Sequence, residues 1–487
     1  MAVYGVVLIA IALVRWSLWT YGTDTGTFAQ IGANALHGFT DPPERGTHFR
    51  FHWSPILITL YPLIALTRTP LSLQILQVVL IGASALPLYG IARAYASERV
   101  AWRAASLALV YPALMAVAFA EFHEIAFYPV VALGLFWAAD RRRWALFAPL
   151  ALLAVTIREE ACIVFAFVGV AFVFVAARAH LLRGAGVGPR GLLRGEPEAP
   201  LPLAACGALL TTLSVVTLFY YFEVLVPTLG GWHPAHFYVY SFGVGPVAVL
   251  LAILRHPANL GQLATFGRLT YVIEAFVPLA LLPLRSWWTL LALPGLGLLL
   301  LASDQIAWRM GSHYSAIFAP WLLLASVAAI AGWSRERPAR APRSAWFRDP
   351  TNVALAICGI VLIAFDPMHP AHYLRPLYPT DDARRALALV PPAASVVTHD
   401  EWYTHDALRN ANATVFYCPY VRYAVYASDF PGPSFHDDVE PRLAADVARG
   451  IARAVARVGR VTVYERRPPA GATEANCIRP GDFGYRR

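Results

Sequence analysis

Carboxylates, imidazoles and guanidinium groups interrupt an otherwise apolar chain at a few places, and each interruption is a candidate for chemistry. In WTYGTDTGTFAQ, Asp24 follows an apolar run, with small polar residues and no cation beside it in sequence. A carboxylate in that setting can act as a general base on an incoming hydroxyl, as a metal ligand, or merely as a solvated interfacial charge. FAEFHEIAF gathers Glu121, His123 and Glu124, and Glu121 and Glu124 share a face if the preceding helix continues. Two acids with an imidazole suit a proton relay or a weak divalent-cation site at Glu121, His123 and Glu124, or they are no more than a polar helix end. VTIREEACI places Arg158, Glu159 and Glu160 between apolar stretches. Either the guanidinium serves phosphate oxygens while the acids accept hydroxyls, or all three only cap a tight hairpin. His48 and His52 lie four apart around Arg50, without an acidic third ligand nearby, and fit a helix touching lipid headgroups better than a zinc site. Arg309, His313 and Tyr314 in AWRMGSHYS could hold a lipid phosphate or form an aromatic-belt loop.

These groups need a frame, and composition identifies it as a membrane. Of 487 residues 58% are hydrophobic and 14% charged, with mean hydropathy +0.52, too apolar for a wetted surface. The net charge of +9 comes with no lysine at all. Such Arg-only, Ala-rich usage fits a GC-rich prokaryotic genome and calls for no nucleic-acid partner. The apolar runs predict an α-helical polytopic membrane protein with eleven spans, at 3–20, 71–92, 104–120, 125–139, 144–157, 161–177, 201–222, 271–284, 288–301, 314–333 and 353–365. The first lacks a basic leader and a cleavage site and is expected to be retained. The segment 48–66 contains Pro55 and Pro62. If it does not cross, sixteen arginines in the loops near 93–103, 141–143, 178–194, 285 and 335–348 face one side, against seven on the other. That asymmetry makes 48–66 a juxtamembrane or re-entrant helix inside a first outer loop, 21–70. It also places the N-terminus in the cytoplasm of a prokaryotic cell and the candidate residues on the outer face of its plasma membrane.

Beyond residue 366 the composition changes. SVVTHD, ATVFYCP and RVTVYERR read as strands and EPRLAADVARGIARAVARVG as a helix, giving a small extracytoplasmic α/β domain at 367–487 after a transmembrane domain at 1–366. No phosphate-binding loop or nucleophile elbow occurs in it. Cys418 and Cys477 fall in this region and could pair if it is extracytoplasmic.

In order along the chain, YGTDTGTFAQIGANALHG, HFRFHWSPILITLYPL, LQILQVVLIGASALPLYGIAR, YPALMAVAFAEFHEIAF, REEACI and GSHYSAIFAP resemble the prokaryotic membrane family known as domain of unknown function 2079. That family in turn resembles the GT-C glycosyltransferases, in which an acid of the first outer loop lies at the reaction centre and juxtamembrane helices follow it. The resemblance implies a GT-C-like fold and an inverting transfer of sugar from a polyprenyl-phosphate donor to an unknown cell-envelope acceptor, with membrane lipid as a further partner. In that case Asp24 accepts the acceptor proton, and Arg158 or Arg309, with His313, steadies the departing phosphate. Glu121, His123 and Glu124 then orient the sugar or hold a cation. Asp24 stands outside any DxD or ExD pair. The alternative is a transporter or flippase of lipid-linked or envelope material, for which broken helices meeting at midplane and internal repeats are the expected signs.

Overall fold

The computed structural model describes residues 1–43, 46–184, 190–231, 239–240, 242–244, 246–333, 349–376, 378–430 and 439–472. The arginines at 335–348 and Cys477 lie outside them. Most of the described chain is helical, and a single large apolar cluster joins the helices from Leu8 to Cys358.

Among the described residues three helices are long and apolar enough to cross a membrane: Leu71–Tyr95, Glu159–Gly184 and Pro200–Thr228. A bent pair, Glu98–Val110 and Pro112–Phe119, makes a fourth if it counts as one span. The other expected spans coincide with shorter apolar helices, among them Ala2–Ser17, Trp144–Ala154, Ala319–Trp333 and Pro350–Ile360. Proline and tight turns account for much of the shortening. The 48° bend falls at Tyr111, whose ψ of 119° is what a residue before proline prefers. The expected span at 271–284 is a helix only as far as Phe276, after which 3-10 turns follow at Val277–Leu279 and Leu282–Arg285. Between Glu159–Gly184 and Pro200–Phe219 the backbones nearly touch: a Cβ on Gly169 would lie 2.5 Å from the Gly207 carbonyl oxygen. Small residues permit that approach where no water drives association.

The segment expected to skim the membrane begins with a 3-10 turn at His48–Arg50, continues through Pro55–Thr59 and ends in the helix Leu60–Thr67. It packs on the helix Thr23–Ala33, where a Cβ on Gly32 would lie 2.9 Å from Leu60 Cβ.

The C-terminal residues form a five-stranded sheet ordered Ala413–Thr414, Val396–Thr398, Tyr423–Tyr426, Val461–Arg466 and Ala452–Val458. The first two pairings are parallel and the last two antiparallel. One expectation is corrected here. The presumed continuous helix at 440–459 ends at Ala448, and Ala452–Val458 is a strand. Gly450, at φ 71°, stops the helix in the left-handed region, and Gly459, at φ 57°, turns the new strand onto Val461–Arg466. The apolar core of this sheet includes Trp19, immediately beyond the first helix, so the two ends of the chain share one interior.

Candidate functional site

Asp24 occupies the first turn of Thr23–Ala33, a helix that begins six residues after the first helix ends. Its carboxylate is 54% exposed and lies 3.3 Å from His123 Nε2. The other imidazole nitrogen, Nδ1, is 3.1 Å from the Glu121 carbonyl oxygen and must donate to it. With Nδ1–H so used, attraction between Nε2 and Asp24 requires a second ring proton, hence an imidazolium. Burial alone would lower the pKa of His123, but the Asp24 charge and hydrogen bond outweigh it and hold it above the ordinary value. The His123 ring stacks on His313, centroids 3.3 Å apart. His313 is kept well below its usual range by burial and then by the charge on His123, so a charged ring lies over a neutral one.

Glu121 and Glu124 do not share a helical face, contrary to expectation. The helix stops at Phe119, and Ala120 and His123 are extended, which sends the two carboxylates apart. Glu121 accepts the N–H of Gly22 at 2.9 Å and of Thr25 at 3.2 Å, thereby capping the Asp24 helix from a distant part of the chain. Burial and the nearby Asp24 raise its pKa to about 7. Gln77 braces the turn: its amide donates to the carbonyls of Ala120 and Glu121, and its oxygen accepts the His123 N–H.

Glu124 turns inward to Arg158, with Oε1 3.2 Å from Nη1. Arg158 is 2% exposed. Its Nε is 3.0 Å from Glu160, and its Nη2 is 3.1 Å from His52 Nε2. His52 Nδ1 donates to Glu159 at 2.9 Å, and the other Glu159 oxygen accepts the Trp53 N–H at 2.8 Å. His48 is buried one turn away, its ring 5.6 Å from that of His52, and Arg50 beside it is half-buried. Tyr314 is buried with its ring 5.8 Å from the Arg158 guanidinium, whereas Arg309 is exposed. The structure therefore joins Asp24, Glu121, His123 and His313 in one group, and Glu124, His52, Arg158, Glu159, Glu160 and Tyr314 in a sealed one beside it.

Several members of the site were missed in the sequence. Arg15, 2% exposed in the first helix, donates to the carbonyls of Phe119 and Thr20 and lies 4.1 Å from the Tyr21 ring, tying that helix to the Glu121 turn. Gln30, Gln74 and Gln77 stand out as amides in apolar runs, a signal that was available. The C-terminal helix Asp400–Asp406 lies against the Asp24 helix, and its Glu401 is held at about 7 by burial and then by Glu121. Nothing local to DEWYTHD announces that contact.

A metal does not suit the residues as arranged. Glu121 is occupied by two backbone N–H groups and Glu124 by Arg158, so the expected set of Glu121, His123 and Glu124 does not converge on a point. Among the described residues the group whose ligand atoms do converge, within 4.8 Å, is His52, Glu159 and Glu160. There the Arg158 guanidinium already supplies the positive charge, bound to both His52 and Glu160. Cys418 is disulfide-bonded.

Three solved structures of the Archaeoglobus fulgidus oligosaccharyltransferase are similar to this chain. The form tethered with an acceptor peptide is 14% identical with a TM-score of 0.41, over 87% of this chain and 69% of that one. The form named AglB, with an inhibitory peptide and a dolichol-phosphate, is 15% identical with a TM-score of 0.42 over the same shares. The complex with Zn and sulfate is 13% identical with a TM-score of 0.39, over 86% and 67%. None of the curated proteins matches the sequence. Residues 14–428 match the family model described as predicted membrane protein DUF2079, and the chain therefore belongs to that family.

Proposed function

We propose that this protein is an integral-membrane inverting glycosyltransferase that moves a sugar from a polyprenyl-phosphate donor to a hydroxyl of the cell envelope. The observation that carries the reading is the Asp24 carboxylate, open to solvent yet fixed 3.3 Å from His123 on a helix just beyond the first apolar helix. Asp24 takes the proton of the acceptor hydroxyl as its oxygen bonds to the anomeric carbon. The bond from that carbon to the donor phosphate breaks, and its electron pair leaves with the phosphate. Of Arg158 and Arg309, the exposed Arg309 is assigned to the departing phosphate, because Arg158 is engaged by Glu124, Glu160 and His52. No step is routed through a metal.

The membrane domain is assigned to 1–366 with its N-terminus in the cytoplasm, and the α/β domain at 367–487 to the outside of a prokaryotic plasma membrane. The disulfide at Cys418 supports an oxidising compartment for the latter, with Cys477 as the proposed partner.

Asp24→Asn in the native host, with sugar-modified lipid and polymer followed by mass spectrometry, tests the reading. Loss of one glycan with unchanged protein abundance is expected, and an unaltered profile would overturn the catalytic role.

A further inference from the structure

The backbone of Gly22, two residues before Asp24, is held from both sides. Its N–H donates to Glu121, and its carbonyl accepts the Thr404 hydroxyl from the C-terminal helix Asp400–Asp406. One turn further along the Asp24 helix there is no room for a side chain. A Cβ on Gly26 would lie 2.6 Å from Tyr403 Cε1 and 2.9 Å from Thr404 Cα. Beyond that, Gln30 is gripped at both ends of its amide. Its oxygen accepts the Tyr403 hydroxyl at 2.7 Å and its nitrogen donates to the Ala407 carbonyl at 3.1 Å. Thus Gly22, Gly26 and Gln30, at spacings of four, present one stripe of the helix to the C-terminal helix, and the Gly22 carbonyl and both ends of the Gln30 amide find their partners there. Next to this contact His405 stacks on Trp19 at 4.0 Å and lies tilted against Trp16 at 3.9 Å, which seats the same C-terminal helix on the end of the first helix.

The rest of the Asp24 helix is held by Glu121 at its first turn and by Phe28, Ala29 and Ile31 packed with Leu57, Leu60 and Phe122, so the 22–30 stripe is the side that depends on the C-terminal helix. The Asp24 helix has eleven residues, among them Gly26 and Gly32, and its own N-cap, Gly22, offers no side chain to the first-turn N–H groups. A helix of that length and composition does not persist alone in water. We infer that Thr404 and Tyr403 are positioning residues: the C-terminal helix fixes the Asp24 helix, and without that contact Asp24 loses its register against His123. The inference deepens the proposed glycosyl transfer in that it names what holds the base in place, and it rests on that reading only for its consequence, not for its test.

The test is hydrogen exchange followed by mass spectrometry on the full chain in lipid nanodiscs, comparing wild type with Thr404→Val, Thr404→Ser and Gly26→Ala. Loss of one buried neutral hydrogen bond changes local opening about two- to tenfold. Thr404→Val is expected to raise exchange over residues 22–27 by that factor. Thr404→Ser, which keeps the hydroxyl, restores the wild-type rate, a rescue that general unfolding would not show. Gly26→Ala loosens residues 22–27 and 400–407 together. Peptides covering the strands at 396–398 and 423–426 report whether the sheet remains folded. Wild-type exchange at 22–27 in both Thr404→Val and Gly26→Ala would overturn the inference, as would a Thr404→Ser variant no better than Thr404→Val. The two readings separate cleanly. Unchanged product in Asp24→Asn with a loosened helix in Thr404→Val removes the transferase and keeps the clamp, and the converse pair of results removes the clamp alone.

Discussion

Two carboxylate–imidazole pairs stand side by side in this protein and have opposite characters. In Asp24–His123 the acid is 54% exposed, whereas in Glu159–His52 the acid is 4% and the imidazole 9% exposed. The first pair holds an imidazolium facing an open carboxylate, with room for a ligand on the acid. The second holds an imidazole whose nitrogens are both taken, one donating to Glu159 and one accepting from Arg158. What separates them is Arg158, which draws Glu124, Glu160 and His52 into a closed network and leaves nothing to offer a substrate. Residue type alone therefore does not assign a role here. The sealed pair is the frame and the open pair is where chemistry can occur.

Breaking the sealed side should cost most. Arg158→Met leaves Glu124, Glu159 and Glu160 buried without their common cation, and a loss of about 3–5 kcal/mol is expected in unfolding of the detergent-solubilised protein. A melting temperature equal to that of wild type would mean that the network is not a frame. Glu159→Gln is milder. One amide end cannot accept the Trp53 N–H, so a loss of about 1–3 kcal/mol is expected by the same measurement.

The next effect is a slope. Burial pushes Glu401 and Glu121 up to about 7 in the folded protein, from an ordinary value of 4.5. Between those values the folded state binds more protons than the unfolded one, so stability falls as pH rises from 4.5 towards 7. Glu401→Gln should flatten that fall when melting is recorded across the same interval, and an unchanged slope would show that Glu401 is solvated. Smallest is Asp24→Asn, in which a carboxylate 54% open to solvent gives up its charge beside His123, at a cost of less than about 1 kcal/mol. Its melting point should barely move. A large drop would make Asp24 structural and erase the contrast between the pairs.

Much of this was legible in the sequence, and the limits have physical causes. Polar groups in an apolar chain are costly, so Asp24, the Glu121 to Glu124 cluster and Arg158 to Glu160 announced themselves. Which of them remain open could not be read, because exposure depends on partners far away in sequence: Glu124 meets Arg158 and Glu121 meets Gly22. Period-based reasoning mistook 452–458 for helix because the apolar ARAVARV run fits either element until Gly450 and Gly459 are weighed. The expected eleven spans stand against three long apolar helices, or four with the bent pair, among the described residues, since hydropathy registers apolar length and is blind to 3-10 turns and bends. Arg15 lay hidden for a related reason. A lone arginine in a first apolar run reads as an orientation signal, whereas here its guanidinium is enclosed by Tyr21, Phe119 and Tyr373.

The double hold on Gly22 bears on how the molecule comes to be made. Glu121 and Thr404 are 283 positions apart, and synthesis delivers them in sequence, so the ribosome has released most of the chain before the second hand arrives. During that interval the Gly22 carbonyl is without the Thr404 hydroxyl that it accepts in the folded protein. A nascent chain truncated before Thr404 would then leave the Gly22 to Gln30 stripe open to proteases, which ties quality control of this protein to the arrival of Thr404 and its helix.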